Sequence, residues 1–235
     1  MIRLSDRLQV IADQITPGET VCDIGTDHGF LPLYLYERNI ASHVILADIS
    51  SGSLEKAREN CEIYYPGTRF DLRLGNGLEV ISEGEADTVV IAGMGGILMS
   101  EILQADMNKN KSVKKFIFQP RSAAGRLRHW LLTSGFEITS DRLVEEGRFI
   151  CSVITAVPAA KPSECSLSED DIRMEIPEYI RDEELADEYI RRRIEMEKRV
   201  LSGLSEASEK WTEKTEKTKS DIEYLEGLLC CSANL

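Results

Sequence analysis

Between residues 20 and 157 the chain changes period repeatedly, from short apolar runs that suit buried strands to the 3.6-residue spacing of amphipathic helices. Runs at 20–24, 43–48, 69–74, 87–92 and 115–119 read as strands, and the stretches following them at 31–38, 51–63, up to about 103, and 123–133 read as helices. A helix at 4–15 precedes them, with Leu4, Leu8, Ile11 and Ile15 on one face, and Pro17-Gly18 ends it. Ser50 or Ser51 suits the cap of the helix after the second strand. Strands alternating with helices imply a parallel sheet covered on both faces. The last two strands, 136–144 and 148–157, have no helix between them, and Glu145-Glu146-Gly147 suits a hairpin turn that adds an antiparallel edge. The expected class is α/β, with a Rossmann-like sheet over residues 1–157.

Beyond that domain, residues 158–181 read as a linker rich in Pro, Ser and acidic side chains. Residues 182–235 read as a helical appendage. Apolar residues recur there in steps of three and four, at Ile190, Ile194, Leu201 and Leu204 and again at Ile222, Leu225 and Leu229. Ser208, Thr215 and Thr218 weaken the middle of that seam, whereas one long coiled-coil helix wants a continuous one. Two helices packed as an antiparallel coiled-coil hairpin, breaking between about Ser202 and Lys214, fit better. The alternative is one solvated, charged helix.

The net charge is −13, which argues against a nucleic-acid partner until its distribution is considered. From Lys109 to Trp130 there are seven basic side chains and no acidic one. A local basic face can hold a phosphate backbone on an acidic protein. The six cysteines form no CxxC pair and no histidine stands at zinc-ligand spacing, so reduced thiols and no metal are expected. No apolar run approaches the ~20 residues of a membrane span, and residues 1–7 lack the apolar core of a signal peptide. A cytoplasmic location is the expectation.

Ligands of an open α/β sheet bind beyond the carboxyl ends of its strands, which selects four loops. The first is Asp23-Ile24-Gly25-Thr26-Asp27-His28-Gly29. Gly25 lets the backbone turn tightly against a ligand. The dinucleotide fingerprint G-x-G-x-x-G is not met, and an added acid at this turn would repel a pyrophosphate. A cofactor with a cationic sulfonium and no phosphate, S-adenosylmethionine, tolerates it better than NAD would. The second loop begins at Asp48, placed to accept hydrogen bonds from ribose hydroxyls; a helix-capping aspartate is the alternative. The third is Gly75-Asn76-Gly77-Leu78, where the Asn76 amide could read an adenine edge or simply make a turn. The fourth, Ala92-Gly93-Met94-Gly95-Gly96, removes side-chain bulk where a flat base could approach, with Met94 packing on base or cofactor or standing as a core methionine. Gln119-Pro120 puts an amide on the same rim.

Together, Leu4-Ser5-x-Arg7-Leu8, Asp23-Ile24-Gly25-Thr26-Asp27-His28-x-x-Leu31-Pro32, Ala92-Gly93-Met94-Gly95-Gly96 and Gln119-Pro120 resemble the bacterial tRNA (adenine-22-N1)-methyltransferase family, the TrmK family, over residues 1–157. The resemblance implies a class I methyltransferase fold and methyl transfer from S-adenosylmethionine to N1 of an adenine in tRNA. Many amino-methyltransferases carry an Asn/Asp-Pro-Pro-aromatic string after the fourth strand; its absence here suits a ring-nitrogen target. The cofactor site expected is Asp23, Gly25, Asp27, His28, Asp48, Asn76, Gly77, Gly93 and Met94. Asp27 is the candidate to stabilise the cationic product or accept its proton, with Met94 beside the reacting groups and His28 as the alternative acceptor. Arg7, Gly95, Gln119, Pro120, Arg121 and Arg126 are the substrate side, with Arg128 added to the basic patch that grips RNA. Arg121 departs from the family, in which a polar residue such as Asn is expected after Gln-Pro. The rival readings are a methyltransferase for another substrate and a non-catalytic cofactor-binding adaptor.

Overall fold

The computed structural model describes residues 1–206 and 212–232. A seven-stranded sheet runs in the order β3-β2-β1-β4-β5-β7-β6. Its strands are β1 (Thr20–Ile24), β2 (His43–Asp48), β3 (Asp71–Leu74), β4 (Thr88–Gly95), β5 (Lys115–Ser122), β6 (Phe136–Glu146) and β7 (Phe149–Pro158). All neighbouring pairs are parallel up to β5; β7 is antiparallel to both β5 and β6. The order reverses between β1 and β4, the point where a doubly wound sheet opens a crevice. Because β7 reverses twice, β6 ends at the same rim as β1 and β4, which carries Glu146 there.

The two faces are covered as the alternation of the strand residues requires. Cys22, Ile45, Val89, Ile91, Phe116 and Phe118 form one core with Met99 and Leu103 of α4 (Gly96–Gln104) and Leu127 and Leu131 of α6 (Ala124–Thr133). Val21, Val44, Leu46, Val90 and Ile117 form the other. They meet Ile11 of α1 (Asp6–Asp13), Leu31 and Leu35 of α2 (Phe30–Glu37), and Ala57 and Cys61 of α3 (Ser51–Tyr64). The Ser50 hydroxyl accepts from the Ser53 N–H and caps α3. A short α5 (Met107–Ser112) lies before β5, capped by Asp106.

Residues 158–175 differ from the linker expected there. They return to the sheet domain as a strap ending in α7 (Ile172–Glu175), and the compact unit runs from Met1 to Glu175. The reason is chemical. Arg128 is wholly buried; its Nε donates to Asp141 Oδ2 at 2.7 Å, Nη2 donates to Ser152 Oγ at 2.8 Å, and Nη1 donates to the carbonyls of Met174 and Glu175 at 3.1 and 2.9 Å. The Glu175 carboxylate accepts from the Gly125 N–H at 2.6 Å, and Ile172 and Met174 are buried. Composition alone shows a polar, Pro-containing stretch; the anchor that orders it sits 46 residues upstream in α6.

The second unit spans residues 176–235. Within it α8 (Ala186–Glu206) packs on α9 (Thr212–Ser232), with Ile190, Ile194, Ile222, Leu225 and Leu228 buried and Lys198 paired to Glu226 at 2.7 Å. The break expected between Ser202 and Lys214 falls on residues 207–211, outside the described residues, as do Ser208 and Trp211 of the expected seam. Among the described residues no helix is long and apolar enough to cross a membrane.

Candidate active site

A cleft of about 350 Å³ opens at the β1/β4 crevice. Asp23, Gly25, Thr26, Asp27, His28, Gly93, Arg7 and Arg121 all line it. The turn after β1 is set by its backbone. The N–H groups of Gly25 and Thr26 both donate to the Ala47 carbonyl, at 2.8 and 3.0 Å, with Gly25 at φ +77°. A side chain at Gly25 would collide with the terminal methyl of Met94, which lies directly over it. Asp27 also sits in the left-handed region, φ +45°, which aspartate tolerates better than most residues. Its N–H donates to Asp48 Oδ2 at 3.3 Å, and its carboxylate lies 3.1 Å from Lys56 Nζ and 3.6 Å from His28 Nε2. The His28 ring stacks on Phe30.

Two carboxylates are buried beneath the loop. Burial pushes Asp23 up to about 6; the Thr26 hydroxyl opposes the rise, Asp48 adds to it and Arg7 opposes it. Asp48 ends β2 with Oδ1 accepting from the Ser50 N–H at 2.8 Å, so its carboxylate is aimed by backbone on either side and keeps lone pairs for a ligand. The adjoining Ile49 is 70% exposed, an apolar side chain at a strand end with nothing covering it. In the sequence Ile49 is marked only by standing directly after the acid that ends a strand.

The expected cofactor residues do not all share one cavity. Asn76 and Gly77 line a separate hollow of about 240 Å³ with Leu98, Glu101, Ile102 and Lys109. Gly77, at φ +52°, is there because a side chain would strike Ile102. Asp48 bridges toward that side, its carbonyl accepting from the Gly75 N–H at 3.1 Å.

On the opposite rim several expectations change. β4 and β5 slip register at Ala92/Met94 and again at Met94/Gly95, leaving Gly93 at φ +79° beneath the Arg121 guanidinium. A side chain at Gly93 would come into ordinary contact with Arg121, so the space above it is shared with that guanidinium. Gly96 has another reason: a side chain there would run into the Ala123 carbonyl, so it serves packing of α4 on α6 rather than access for a base. Gly95 lies beside Ser122. Gln119 and Pro120 are buried, and the Gln119 amide is already engaged, accepting from Arg7 Nη1 at 2.9 Å and donating to the Pro120 carbonyl at 3.0 Å. Gln119 therefore holds Arg7 rather than meeting a substrate itself. Arg126 is tied to Asp170 at 2.7 Å, and Arg128 lies inside the domain, so the arginine patch expected on α6 is not a free basic face. Arg7 and Arg121 are the arginines that line the cleft.

Residues 4–154 match the family described as "Methyltransferase domain". The chain belongs to that family. Among its relatives, the tRNA (adenine(22)-N(1))-methyltransferase of Bacillus subtilis is 36% identical over 66% of this chain, and the aligned region spans 65% of that relative's length. The solved Bacillus subtilis m1A22 tRNA methyltransferase TrmK superposes with a TM-score of 0.84 at 28% identity, covering 97% of this chain and all of the other. A proposed tRNA (m1A22) methyltransferase from Streptococcus pneumoniae, solved with S-adenosyl-L-methionine, superposes at 0.81 with 25% identity, over 97% of this chain and all of that one. In sequence and fold this methyltransferase is similar to proteins of the tRNA (adenine-22-N1) group, the resemblance its motifs carried. Among its described residues no group of three His, Cys, Asp or Glu side chains is arranged to hold a metal.

Proposed function

We propose that this methyltransferase transfers a methyl group from S-adenosylmethionine to N1 of adenine 22 in tRNA. The observation that carries the reading is the loop after β1. A pyrophosphate needs free backbone N–H groups at such a turn, but those of Gly25 and Thr26 are taken by the Ala47 carbonyl, and Asp23 and Asp27 stand beside them. That lining fits a cationic cofactor without phosphates. Bound there, S-adenosylmethionine supplies an electrophilic methyl group. Asp48 is placed to accept from ribose hydroxyls, and Gly93 carries no side chain where a flat base would approach. The ring nitrogen N1 brings its own lone pair, so the protein's task is mainly positioning. The methylated base is cationic until a proton leaves N6, and Asp27 at the cleft supplies the nearby negative charge. Such a substrate makes the protein cytoplasmic.

The reading is tested by incubating the protein with unmodified tRNA and S-adenosylmethionine, then analysing nucleosides by mass spectrometry. N1-methyladenosine should form, and should not form on a tRNA whose adenine 22 is replaced by guanine. Methylation of another base, or none, defeats it.

Two binding predictions follow from the buried carboxylates. Asp48→Ala should weaken S-adenosylmethionine about tenfold or more, since a hydrogen bond to a charged group contributes roughly 1.5–3 kcal/mol. An unchanged Kd in calorimetry would remove Asp48 from the site. For Asp23 the sign is set by its raised titration near 6. A cationic ligand favours the ionised carboxylate, so affinity should climb as pH rises through about 6 and level off above 7. At pH 5 most Asp23 is protonated, and binding should be about tenfold weaker than at the plateau. The slope should vanish in Asp23→Asn; a slope that persists there belongs to another group.

A further inference from the structure

The hairpin between β6 and β7 ends in an aromatic side chain left largely outside the core. Glu146 pairs with Phe149, so Gly147 and Arg148 alone make the turn. Gly147, at φ +60°, supplies the positive φ that a two-residue turn takes at its first central position. Phe149 is 59% exposed even though the Arg148 guanidinium lies over its ring, 5.0 Å from the centroid. The base of the tip is tied down: Glu146 accepts from Arg7 Nε at 3.2 Å and from the Ser5 hydroxyl at 3.0 Å. Strand alternation then sets the side on which Phe149 stands. Cys151 and Val153, two and four residues on, pack in the core that α1 and α2 cover. Leu8 of α1 and Phe30 and Leu31 of α2 line the cleft, so Phe149 stands on the cleft's side of the sheet. It lies about 7 Å further out along the strand than Cys151. Burial raises the Cys151 thiol, Arg7 opposes the rise, Glu146 adds to it and Arg121 opposes it, so the start of β7 lies within reach of the charges of both cleft arginines. Glu146 is spent on Arg7 and Ser5, and alternation turns Glu145 to the other face.

We propose that Phe149, braced by Arg148, stacks on a tRNA base next to the target adenine. This rests on the RNA reading above and adds a substrate contact to it. An adenine held in a stack hides its ring nitrogens, and an enzyme that works on the base must take it out. Its departure bares the face of a neighbouring base. An exposed ring with a guanidinium beside it suits such a face, because aromatic stacking and a nearby cation together hold unstacked bases. A two-residue turn anchored through Glu146 presents the ring with little freedom to lose on binding. A second copy of the chain is the other occupant to consider. It would bring a net charge of −13 against its like, and one ring at a narrow tip is far less than the area of a stable dimer interface.

The test is binding and methylation of unmodified tRNA by the full chain and by variants at position 149. Phe149→Ala should raise the Kd and the KM for tRNA about tenfold, the scale of one base stack. The Kd for S-adenosylmethionine and the melting point should stay at their wild-type values, because the ring is exposed and outside the cofactor cleft. Phe149→Tyr keeps the flat ring and should keep the affinity. Phe149→Leu keeps an apolar side chain without a ring and should be as weak as Phe149→Ala. Arg148→Ala should lower the slope of log K against log salt by about 0.7–0.9 if its charge also meets a phosphate, whereas Phe149→Ala should leave the slope unchanged. If Phe149→Ala melts early, the contrast between Phe149→Tyr and Phe149→Leu decides alone. Wild-type tRNA affinity in Phe149→Ala, or in Phe149→Leu, overturns the proposal. So does a wild-type dimer in sedimentation that Phe149→Ala dissolves while tRNA affinity holds, which would give the ring to a second copy. In each of those cases methylation of tRNA by the wild type leaves the functional reading intact. A wild type that neither binds nor methylates tRNA defeats that reading, and the assignment of Phe149 falls with it.

Discussion

Arg128→Met will destabilise the protein by about 3–5 kcal/mol, the cost of leaving a buried charge without its partner. The Arg128 and Asp141 side chains are 0% and 1% exposed, so water cannot replace the lost guanidinium. The same change removes the donors to Ser152 and to the Met174 and Glu175 carbonyls, so the strap loses its anchor along with the ion pair. For a domain of this size the melting point should fall by about 10 °C or more. The double variant Arg128→Met/Asp141→Leu should regain part of the loss, because removing both charges removes the uncompensated one. Arg126→Ala is the internal control: it lies on the same helix, but its partner Asp170 is exposed, and the melting point should barely move. An Arg128→Met protein that melts with the wild type would show that the network contributes nothing net. The latch also decides where the first unit can be cut. A chain ending near Ala160 loses the carbonyls that Arg128 holds, whereas one ending at Glu175 keeps them.

Why the sequence misplaced these arginines is instructive. The run of basic residues from Lys109 to Trp130 is real, but charge along a sequence carries no direction. Lys109 donates to the Leu78 carbonyl, Lys115 to the Gln14 carbonyl, and Arg128 turns inward. Their partners are supplied by the fold and lie tens of residues away. The strands, by contrast, were legible: β1 and β2 occupy the stretches their apolar runs marked, because a strand buried on both faces must be apolar along its whole length. The loop after β1 was legible for a similar reason. Its position beyond a strand's carboxyl end follows from topology, and its glycine and acids are local. Gln119 was legible as a rim residue but not in its role, since nothing at position 119 announces that Arg7 will reach it. Ile49 is marked in the sequence only by the acid before it, and Glu146 reads there only as part of a hairpin turn. An exposed isoleucine and a hairpin-end glutamate are ordinary until the sheet brings both to the rim where β1 and β4 end.

Asp27→Asn should lower kcat about 100-fold while the Kd for S-adenosylmethionine stays within about twofold, the scale expected of a group that assists proton transfer. The substitution is unusually clean at this position. Asp27 stands at φ +45°, and asparagine is at least as content there as aspartate, so the turn survives. The backbone N–H that donates to Asp48 is untouched. What disappears is the negative charge facing the cleft, between Lys56 at 3.1 Å and His28 at 3.6 Å. If that charge stabilises the cationic base or takes its N6 proton, the loss falls on the chemical step and leaves ground-state binding of the cofactor alone. His28 is the competing acceptor, but its ring is stacked on Phe30 and its carbonyl accepts from the Asn60 amide, so the residue is anchored at both ends. Single-turnover methylation of tRNA, measured beside calorimetric cofactor binding, separates the possibilities. A rate within twofold of wild type, about 0.4 kcal/mol in barrier, would remove Asp27 from the chemistry and move the search to His28. A rate and a cofactor affinity that fall together would instead make Asp27 a ligand of the cofactor.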